Sequence, residues 1–446
     1  MSSLEEGQKI VEVAKPASTA ASMAPTSAAA CLNLDDFEKA AETLLKSKAW
    51  AYYRSAADDE RTFSWNRDAF STIRFRPRVL RNVRPVDLTT SIVGHRSTMP
   101  VYISPAAMGR LAHTEGEKCL ARTAAAHGIP YIVSANSSVS FEDLAAEVPK
   151  DTLLFYQLYV NKDRAKSEDI LRRVAQAGYK AICVTVDAPV AGKRERDERT
   201  KLDDAAAADL STQASVRRAP PNAPDGPQDK KSQGIAQGLG SLPFTRRLPA
   251  NCQPTPAAAS ESVAAAMFSY VDPTLSWADL DWIRRASNGL PIIIKGIQCA
   301  EDAALAAHYG AAAIVLSNHG SRQLEGAPSS IETLLEIRKF EPQVFEKLEV
   351  WCDGGYRRGT DVLKAIALGA RCVGFGRPFM YALAFGDEGT QRVATILREE
   401  LKQNTRLLGA TKMSEVLPSM LNTTEIERNL YSGPYDSPVQ TILTKL

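Results

Sequence analysis

The chain has 446 residues, and its 54 Lys+Arg against 52 Asp+Glu leave a formal charge of +2, so no polyanionic partner is called for and nucleic acid is not expected. Hydrophobic residues at 44% and charged residues at 24% are ordinary globular usage, which excludes a wholly disordered chain and supplies a large core. No window reaches the roughly 18 consecutive apolar residues of a membrane span, and seven scattered cysteines (Cys31, Cys119, Cys183, Cys252, Cys299, Cys352, Cys372) form no C-x-x-C pair, which argues against disulfide framework and metal site and for a reducing compartment.

Residues up to Ala30 are rich in Ala, Ser, Thr and Pro and read as a mobile tail, with a single folded region over 34–446. Glu5, Glu6 and Glu12 argue against a transit peptide. Eight short apolar runs then follow: Val101–Ile103, Tyr131–Val133, Leu153–Leu158, Ala181–Val186, Ile292–Ile294, Ala313–Leu316, Leu348–Trp351 and Cys372–Phe375. Continuous apolar runs suit parallel strands covered on both faces. Helical patterns lie between them, such as Lys166–Ala177 with Ile170, Leu171 and Val174 on one side, and Thr360–Leu368 with Val362, Leu363 and Ile366. Eight βα units predict an α/β protein, a closed (β/α)8 TIM barrel with an N-terminal helical segment.

After the fourth run, from about Asp197 to Tyr270, the composition shifts to alanine and then to Pro, Gln and Gly around Pro220-Pro221-Asn222-Ala223-Pro224. This reads as a flexible or lid-like insertion that interrupts one domain. The chain ends in Thr444-Lys445-Leu446, one residue away from the Ser-Lys-Leu peroxisomal address, so a cytoplasmic or peroxisomal location is expected.

Polar and glycine residues collect where the strands end: Ser104-Pro105-Ala106-Ala107, Ser134-Ala135-Asn136, Gln157 with Tyr159, Thr185 with Asp187, Lys295-Gly296, Ser317-Asn318-His319-Gly320, Asp353-Gly354-Gly355 and Gly376-Arg377-Pro378. Active sites of (β/α)8 barrels are built at that end. Gly354, Gly355 and Arg357 open a helix, and Gly376-Arg377 follows the eighth strand. Glycine backbone, helix N-terminus and guanidinium together suit a phosphate, at the two strands where this fold usually holds one.

With these segments in barrel order the chain resembles the FMN-dependent α-hydroxy acid oxidase and dehydrogenase family, which includes glycolate oxidase, lactate oxidase and the flavin domain of flavocytochrome b2. The resemblance runs from Leu34 to Met413 outside the insertion and also takes in Tyr52-Tyr53, Phe155-Tyr156-Gln157-Leu158-Tyr159, Thr185-Val186-Asp187-Ala188-Pro189 and Ser317 through Leu324. It implies FMN as cofactor and oxidation of an L-2-hydroxy acid to the 2-oxo acid, with electrons passed to O2 to give H2O2 or to a quinone or other carrier. A carboxylated specialised-metabolite intermediate, oxidised at a C–O or C–N bond, is the alternative substrate. The short tail carries no pair of haem ligands, which favours oxygen. A homo-oligomer is expected by resemblance.

Such a reaction needs a carboxylate holder, a base for the hydroxyl proton and an electron acceptor. Arg194 and Arg322 match a carboxylate with their guanidinium forks, and His319 is the natural base near neutral pH. The resemblance gives Asp187 the orientation of that imidazole, Tyr52 and Tyr159 the substrate, and Lys295 the stabilisation of negative charge on the flavin. It assigns Ser134, Gln157, Thr185 and Ser317 to the flavin site, lays the Pro105, Ala106 and Ala107 backbone against the ring, and puts Asp353, Gly354, Gly355, Arg357, Gly376 and Arg377 at the phosphate end. The rest of the Lys193–Arg199 charge run reads as a solvated face, and His95, His113, His127 and His308 as structural. Asn136 and Ala191 replace a tryptophan and a leucine of plant glycolate oxidase, so a bulkier acid than glycolate is expected.

Overall fold

A computed structural model describes residues 24–200 and 268–431. Most of the expected insertion, the start of the tail and the C-terminal tripeptide lie outside these residues. Eight parallel strands close into a barrel: β1 Val101–Ile103, β2 Tyr131–Val133, β3 Leu154–Leu158, β4 Ala181–Thr185, β5 Ile292–Ile297, β6 Ala313–Leu316, β7 Glu349–Asp353 and β8 Cys372–Phe375. Closure is made by β8 against β1, with Val373 opposite Val101 and Phe375 opposite Ile103.

The two-residue period of a strand sorts the apolar runs between two packed layers. Tyr102, Ile132, Phe155, Cys183, Ile293, Val315 and Trp351 point inward and fill the barrel axis, where Tyr102 and Phe155 contact the Trp351 ring at 5.3 and 6.0 Å between centroids. Their neighbours Val101, Ile103, Val133, Ile182, Ile294 and Leu316 face the surrounding helices. The N-terminal mouth is plugged by a hairpin of Thr90–Ile92 and His95–Ser97. Ile92 joins the inner cluster, and the Val93 amide donates to the Glu349 carboxylate at 3.0 Å. Only the C-terminal mouth is left for chemistry.

Three sequence expectations are corrected at their edges. The packed region begins before Leu34: a helical turn over Ala28–Ala30 is capped by Ser27, Cys31 is buried, and its carbonyl accepts from Arg392 Nε at 3.3 Å. Both margins of the insertion belong to the packed molecule, since Asp197, Phe268 and Val271 are buried; apolar and paired residues there overcome the compositional bias. Lys295 and Gly296 lie inside β5 rather than after it, at an irregularity in its pairing with β6. Gly296 has φ +110, and a side chain there would meet Asp187 Cγ at 2.7 Å. Glycine is what lets the two strand ends close on each other.

Candidate active site

Seven strand ends and the loop after β6 converge on one cavity that encloses about 1040 Å³, open solvent at its mouth included. Its wall carries Pro105, Ala106 and Ala107 after β1, Ser134 and Asn136 after β2, Gln157 and Tyr159 of β3 and its end, Thr185, Lys295, His319, Arg322, Asp353, Gly354, Gly355, Arg357, Gly376 and Arg377. Tyr52 and Tyr53 enter from the helix Ser47–Arg54, Arg194 from the loop after β4, and Phe268 from the returning margin of the insertion. The other four histidines and Ala191 are absent from this wall; Ala191 packs against the outer core instead, so it does not shape the pocket as expected.

The base sits on a strained turn. His319, Gly320 and Ser321 have φ of +59, +61 and +65, a conformation that costs a non-glycine residue about 1–2 kcal/mol. Asn318 holds it: its Oδ1 accepts from the Ser321 amide and from Asn66 Nδ2, each at 3.0 Å, and its Nδ2 donates to Asn66 Oδ1 at 2.7 Å. The turn aims the imidazole so that Nδ1 lies 2.8 Å from Asp187 Oδ1 and Nε2 lies 3.4 Å from the Tyr159 hydroxyl. Burial pulls the His319 pKa below its ordinary value, with Asp187 opposing, so the ring is neutral at neutral pH. Burial would raise Asp187, yet its contact with His319 and the nearby Lys295 ammonium win and hold its carboxyl below the usual carboxylate range.

Lys295 is buried within the cavity wall. Its Nζ donates to Ser317 Oγ at 2.9 Å and pairs with Asp187 and Asp353 at 3.8 and 3.7 Å. Burial works against this charge, but Asp353 and Asp187 overcome it and keep the ammonium above the ordinary lysine range. Ser317 does not line the cavity; its Oγ accepts from Lys295 and from the His319 amide at 3.1 Å, so it supports the wall and is not part of it.

Arg194 and Arg322 face the cavity as a pair. Arg322 Nη1 donates to the Tyr52 and Ser55 carbonyls at 2.9 and 3.0 Å, and its guanidinium lies 5.2 Å from the Tyr52 ring centroid. Arg194 is 3% exposed; its Nε donates to the Arg322 carbonyl at 3.3 Å, and its guanidinium lies 5.7 Å from the Phe268 ring. Among the described residues neither guanidinium has a carboxylate within ion-pair distance, as Arg67 and Arg164 do. Burial, with the Arg322 charge adding to it, pulls Arg194 down to about 9. Two cations sharing one cavity, Arg194 buried and Arg322 half-buried, make it a receptor for an anion.

The phosphate end departs from expectation in two ways. The amides at the opening of the helix Gly359–Ala367 are already spoken for, because those of Arg357 and Arg358 just before it both donate to Asp361 Oδ2 at 3.0 Å and that of Gly359 donates to Glu400 Oε2 at 2.6 Å. The Arg377 guanidinium does not stand free either: Nε, Nη1 and Nη2 donate to the carbonyls of Tyr53, Gly320 and Ser55 at 2.9, 2.8 and 2.8 Å. It stitches the N-terminal segment to the loop after β6 and lends the cavity its charge. Arg357 is buried, 3.5 Å from both Asp35 and Glu38 of the first long helix. Gly354 and Gly355, at φ +88 and +87, bend the backbone into the concave cradle between them.

The wall is incomplete without a polar ligand. Gln157 Nε2 and Thr185 Oγ1 are buried without a hydrogen-bond partner, and each such orphan costs about 1–3 kcal/mol. Gln157 Oε1 is fixed by the Ala135 amide at 3.0 Å, which turns Nε2 outward as a donor. A flat ring with donors and acceptors along its edge would satisfy these groups. The model for "FMN-dependent dehydrogenase" matches residues 41–423.

The chain belongs to the FMN-dependent dehydrogenase family.

That family takes in the 2-hydroxy acid oxidases and dehydrogenases, and the orphaned donors of this chain fit FMN. It is 38% identical over 399 residues to L-lactate dehydrogenase (cytochrome) of Wickerhamomyces anomalus, covering 89% of this chain and 62% of that protein. It is 38% identical to L-lactate oxidase of a Nostoc species, covering 88% and 98%, and 38% identical to glycolate oxidase 1 of Zea mays, covering 86% and 94%. The chain spans under two thirds of the two cytochrome-type relatives from Wickerhamomyces anomalus and Saccharomyces cerevisiae. Among solved structures it superimposes on the flavin-binding domain of baker's yeast flavocytochrome b2 with a TM-score of 0.74 and 34% identity, covering 94% and 93%. It matches a lactate oxidase of Pediococcus acidilactici with a TM-score of 0.72, 34% identity and coverage of 88% and 95%.

Within this family frame, sequence reasoning missed several residues that build the site. Asn66, from a helix far away in sequence, anchors the His319 turn. Glu117 is fully buried and accepts from the Gly109 and Ser138 amides at 2.8 and 2.9 Å, which ties the loops after β1 and β2 together. Phe268 lies 5.1 Å from the Tyr159 ring and 6.4 Å from the His319 ring, and Tyr270 donates to Asn136 Oδ1 at 3.2 Å. No local motif marks these positions; a buried acid between two loops is visible only once the loops are adjacent. No helix among the described residues is long and apolar enough to cross a membrane, and none of their His, Cys, Asp and Glu side chains cluster as metal ligands.

Proposed function

We propose that this enzyme oxidises an L-2-hydroxy acid larger than glycolate to the 2-oxo acid, with O2 as the final electron acceptor and H2O2 as its product. One observation carries the reading: a neutral histidine backed by a carboxylate at 2.8 Å shares a cavity with two arginines that have no counter-anion. The lactate and glycolate oxidases among its relatives support it.

Gln157, Thr185, Ser134, Lys295 and the Pro105–Ala107 backbone would hold the FMN ring, and Gly354, Gly355, Arg357 and Gly376 its phosphate, with Arg377 adding charge. When bound, FMN supplies the two-electron acceptor. Arg194 and Arg322 hold the substrate carboxylate, where desolvation strengthens the charge pairing. Tyr52 and Tyr159, whose phenols burial raises above their ordinary range, stay protonated and donate to substrate oxygens. His319 Nε2 accepts the proton of the C2 hydroxyl. The charge that then appears on the ring is stabilised through Nδ1 by ionised Asp187, and the proton transfer to His319 contributes about 10²–10⁴ in rate. Asn136, held by the Tyr270 hydroxyl, edges the pocket in place of a bulky side chain, which leaves room for a substituent on C2.

The test is an anaerobic absorbance titration of the purified FMN-loaded enzyme with glycolate, L-lactate, L-2-hydroxyoctanoate and L-mandelate, followed by air. Bleaching by one of the larger acids and recolouring with peroxide release is expected. A flavin that no hydroxy acid bleaches overturns the substrate class, and slow recolouring in air overturns the choice of acceptor.

A further inference from the structure

We propose that Gln323 is the positioning residue that holds the carboxylate clamp and the base's partner in register, through a four-bond amide bridge between the loops after β6 and β4. Its Oε1 accepts from the Gly192 amide at 3.1 Å and from Arg194 Nη2 at 3.3 Å. Its Nε2 donates to the Val190 carbonyl at 2.8 Å and to the Asp187 carbonyl at 3.3 Å. The amide can sit only one way, because two N–H donors meet one end and two carbonyls the other.

The contact is built for closeness. A side chain on Gly192 would meet Gln323 Cα at 2.7 Å, so glycine at 192 is what lets the two backbones touch. The bridge is doubled by Arg194 Nε donating to the carbonyl of Arg322, the residue before Gln323. A single buried side chain, 9% exposed, thus fixes the guanidinium of Arg194 and the backbone of Asp187, and is bonded in sequence to Arg322. Gln323 does not line the cavity. It acts through Arg194 and Arg322, which face the cavity, and through Asp187, which backs the base.

A glutamine is required here for its neutrality as much as for its shape. Gln323→Glu keeps an acceptor for Gly192 and Arg194 but brings a carboxylate onto the guanidinium, where it competes with the incoming anion. It also faces the Asp187 and Val190 carbonyls with no donor. Gln323→Met keeps the volume and removes all four bonds.

The inference rests on the reading that Arg194 receives the substrate carboxylate. Its test compares wild type, Gln323→Glu and Gln323→Met as FMN-loaded enzymes, with flavin content and Tm as controls for folding. Steady-state KM and kcat are measured for the best L-2-hydroxy acid, and difference absorbance gives the affinity for its 2-oxo acid product and for the uncharged amide of that product. Gln323→Glu is expected to weaken the anion by about tenfold or more, equivalent to about 1.4 kcal/mol, while the uncharged amide binds as to wild type. Gln323→Met is expected to raise KM with no such preference between anion and amide, and it carries the test alone if the glutamate variant fails to retain FMN. Equal loss of anion and amide in Gln323→Glu, or wild-type KM in Gln323→Met, overturns the inference while the functional reading stands. A wild-type enzyme that oxidises no 2-hydroxy acid overturns the functional reading, and this inference with it.

Discussion

Nδ1 of His319 stands 2.8 Å from Oδ1 of Asp187, and 132 residues of chain separate the two. The contact exists because β4 and the loop after β6 end at the same rim of the barrel, and because Gly296 of β5 leaves the space that the Asp187 side chain fills. It fixes the tautomer: the proton lies on Nδ1, toward the carboxylate, and Nε2 is left as the acceptor.

Replacing His319 removes that acceptor without touching the cofactor wall. His319→Gln is expected to retain FMN, seen in its visible absorbance, and to lose turnover by about 10²–10⁴-fold. Turnover close to wild type would remove His319 from the mechanism.

The pH dependence follows from burial. His319 must be neutral to accept a proton, and its folded-state pKa lies below 6.5, so the acid limb of kcat/KM is expected below pH 6.5 with full activity above it. The same shift lowers stability in acid: below pH 6.5 the unfolded chain binds the proton that the folded one refuses, and stability rises with pH until that window is passed. Asp187 raises His319 against the pull of burial. In Asp187→Asn the acid limb is therefore expected to move to lower pH while kcat falls, a profile measured as kcat/KM against pH.

The two clamp arginines should separate by stability. Arg322→Met removes one guanidinium bond from each of the Tyr52 and Ser55 carbonyls, and is expected to raise KM and to cost about 2 kcal/mol of folding free energy. Arg194→Met removes a buried cation with no carboxylate beside it, and relief of its desolvation offsets the lost bonds. A raised KM with a nearly unchanged midpoint in urea is expected for that variant.

The adjacent glycines of the phosphate end should differ as well. At Gly355 a side chain would stand 2.6 Å from the Asn66 carbonyl carbon, pushing the helix whose Asn66 amide anchors Asn318. Gly355→Ala is expected to release FMN, detected as free-flavin fluorescence, and to lower Tm. At Gly354 the nearest atoms are 3.5 Å away, so Gly354→Ala carries only the backbone strain of about 1–2 kcal/mol and should keep more of its FMN.

The sequence by itself determined the barrel and most of the site's inventory. Eight apolar runs with helical patterns between them have one good closed solution, since strands covered on both faces need an inner and an outer layer to bury against. The residues after each run had to fall at one mouth, which is why His319, Lys295, Gln157 and Thr185 were legible as members of a single site. Partnership was decided only by tertiary structure. Arg377 and Arg357 look alike in sequence, yet one is bonded to three carbonyls and the other faces Asp35 and Glu38. Ser317 lies beside His319 in the chain but supports Lys295 from behind. Asn66, Glu117 and Phe268 carry no local signature, and Gln323 sits in the Ser317–Leu324 segment with no sign there of its partners, because a hydrogen bond or ring contact between distant residues depends on which loops closure brings together. Periodicity encodes which face of an element is buried; the identity of the neighbour across that face is set by topology.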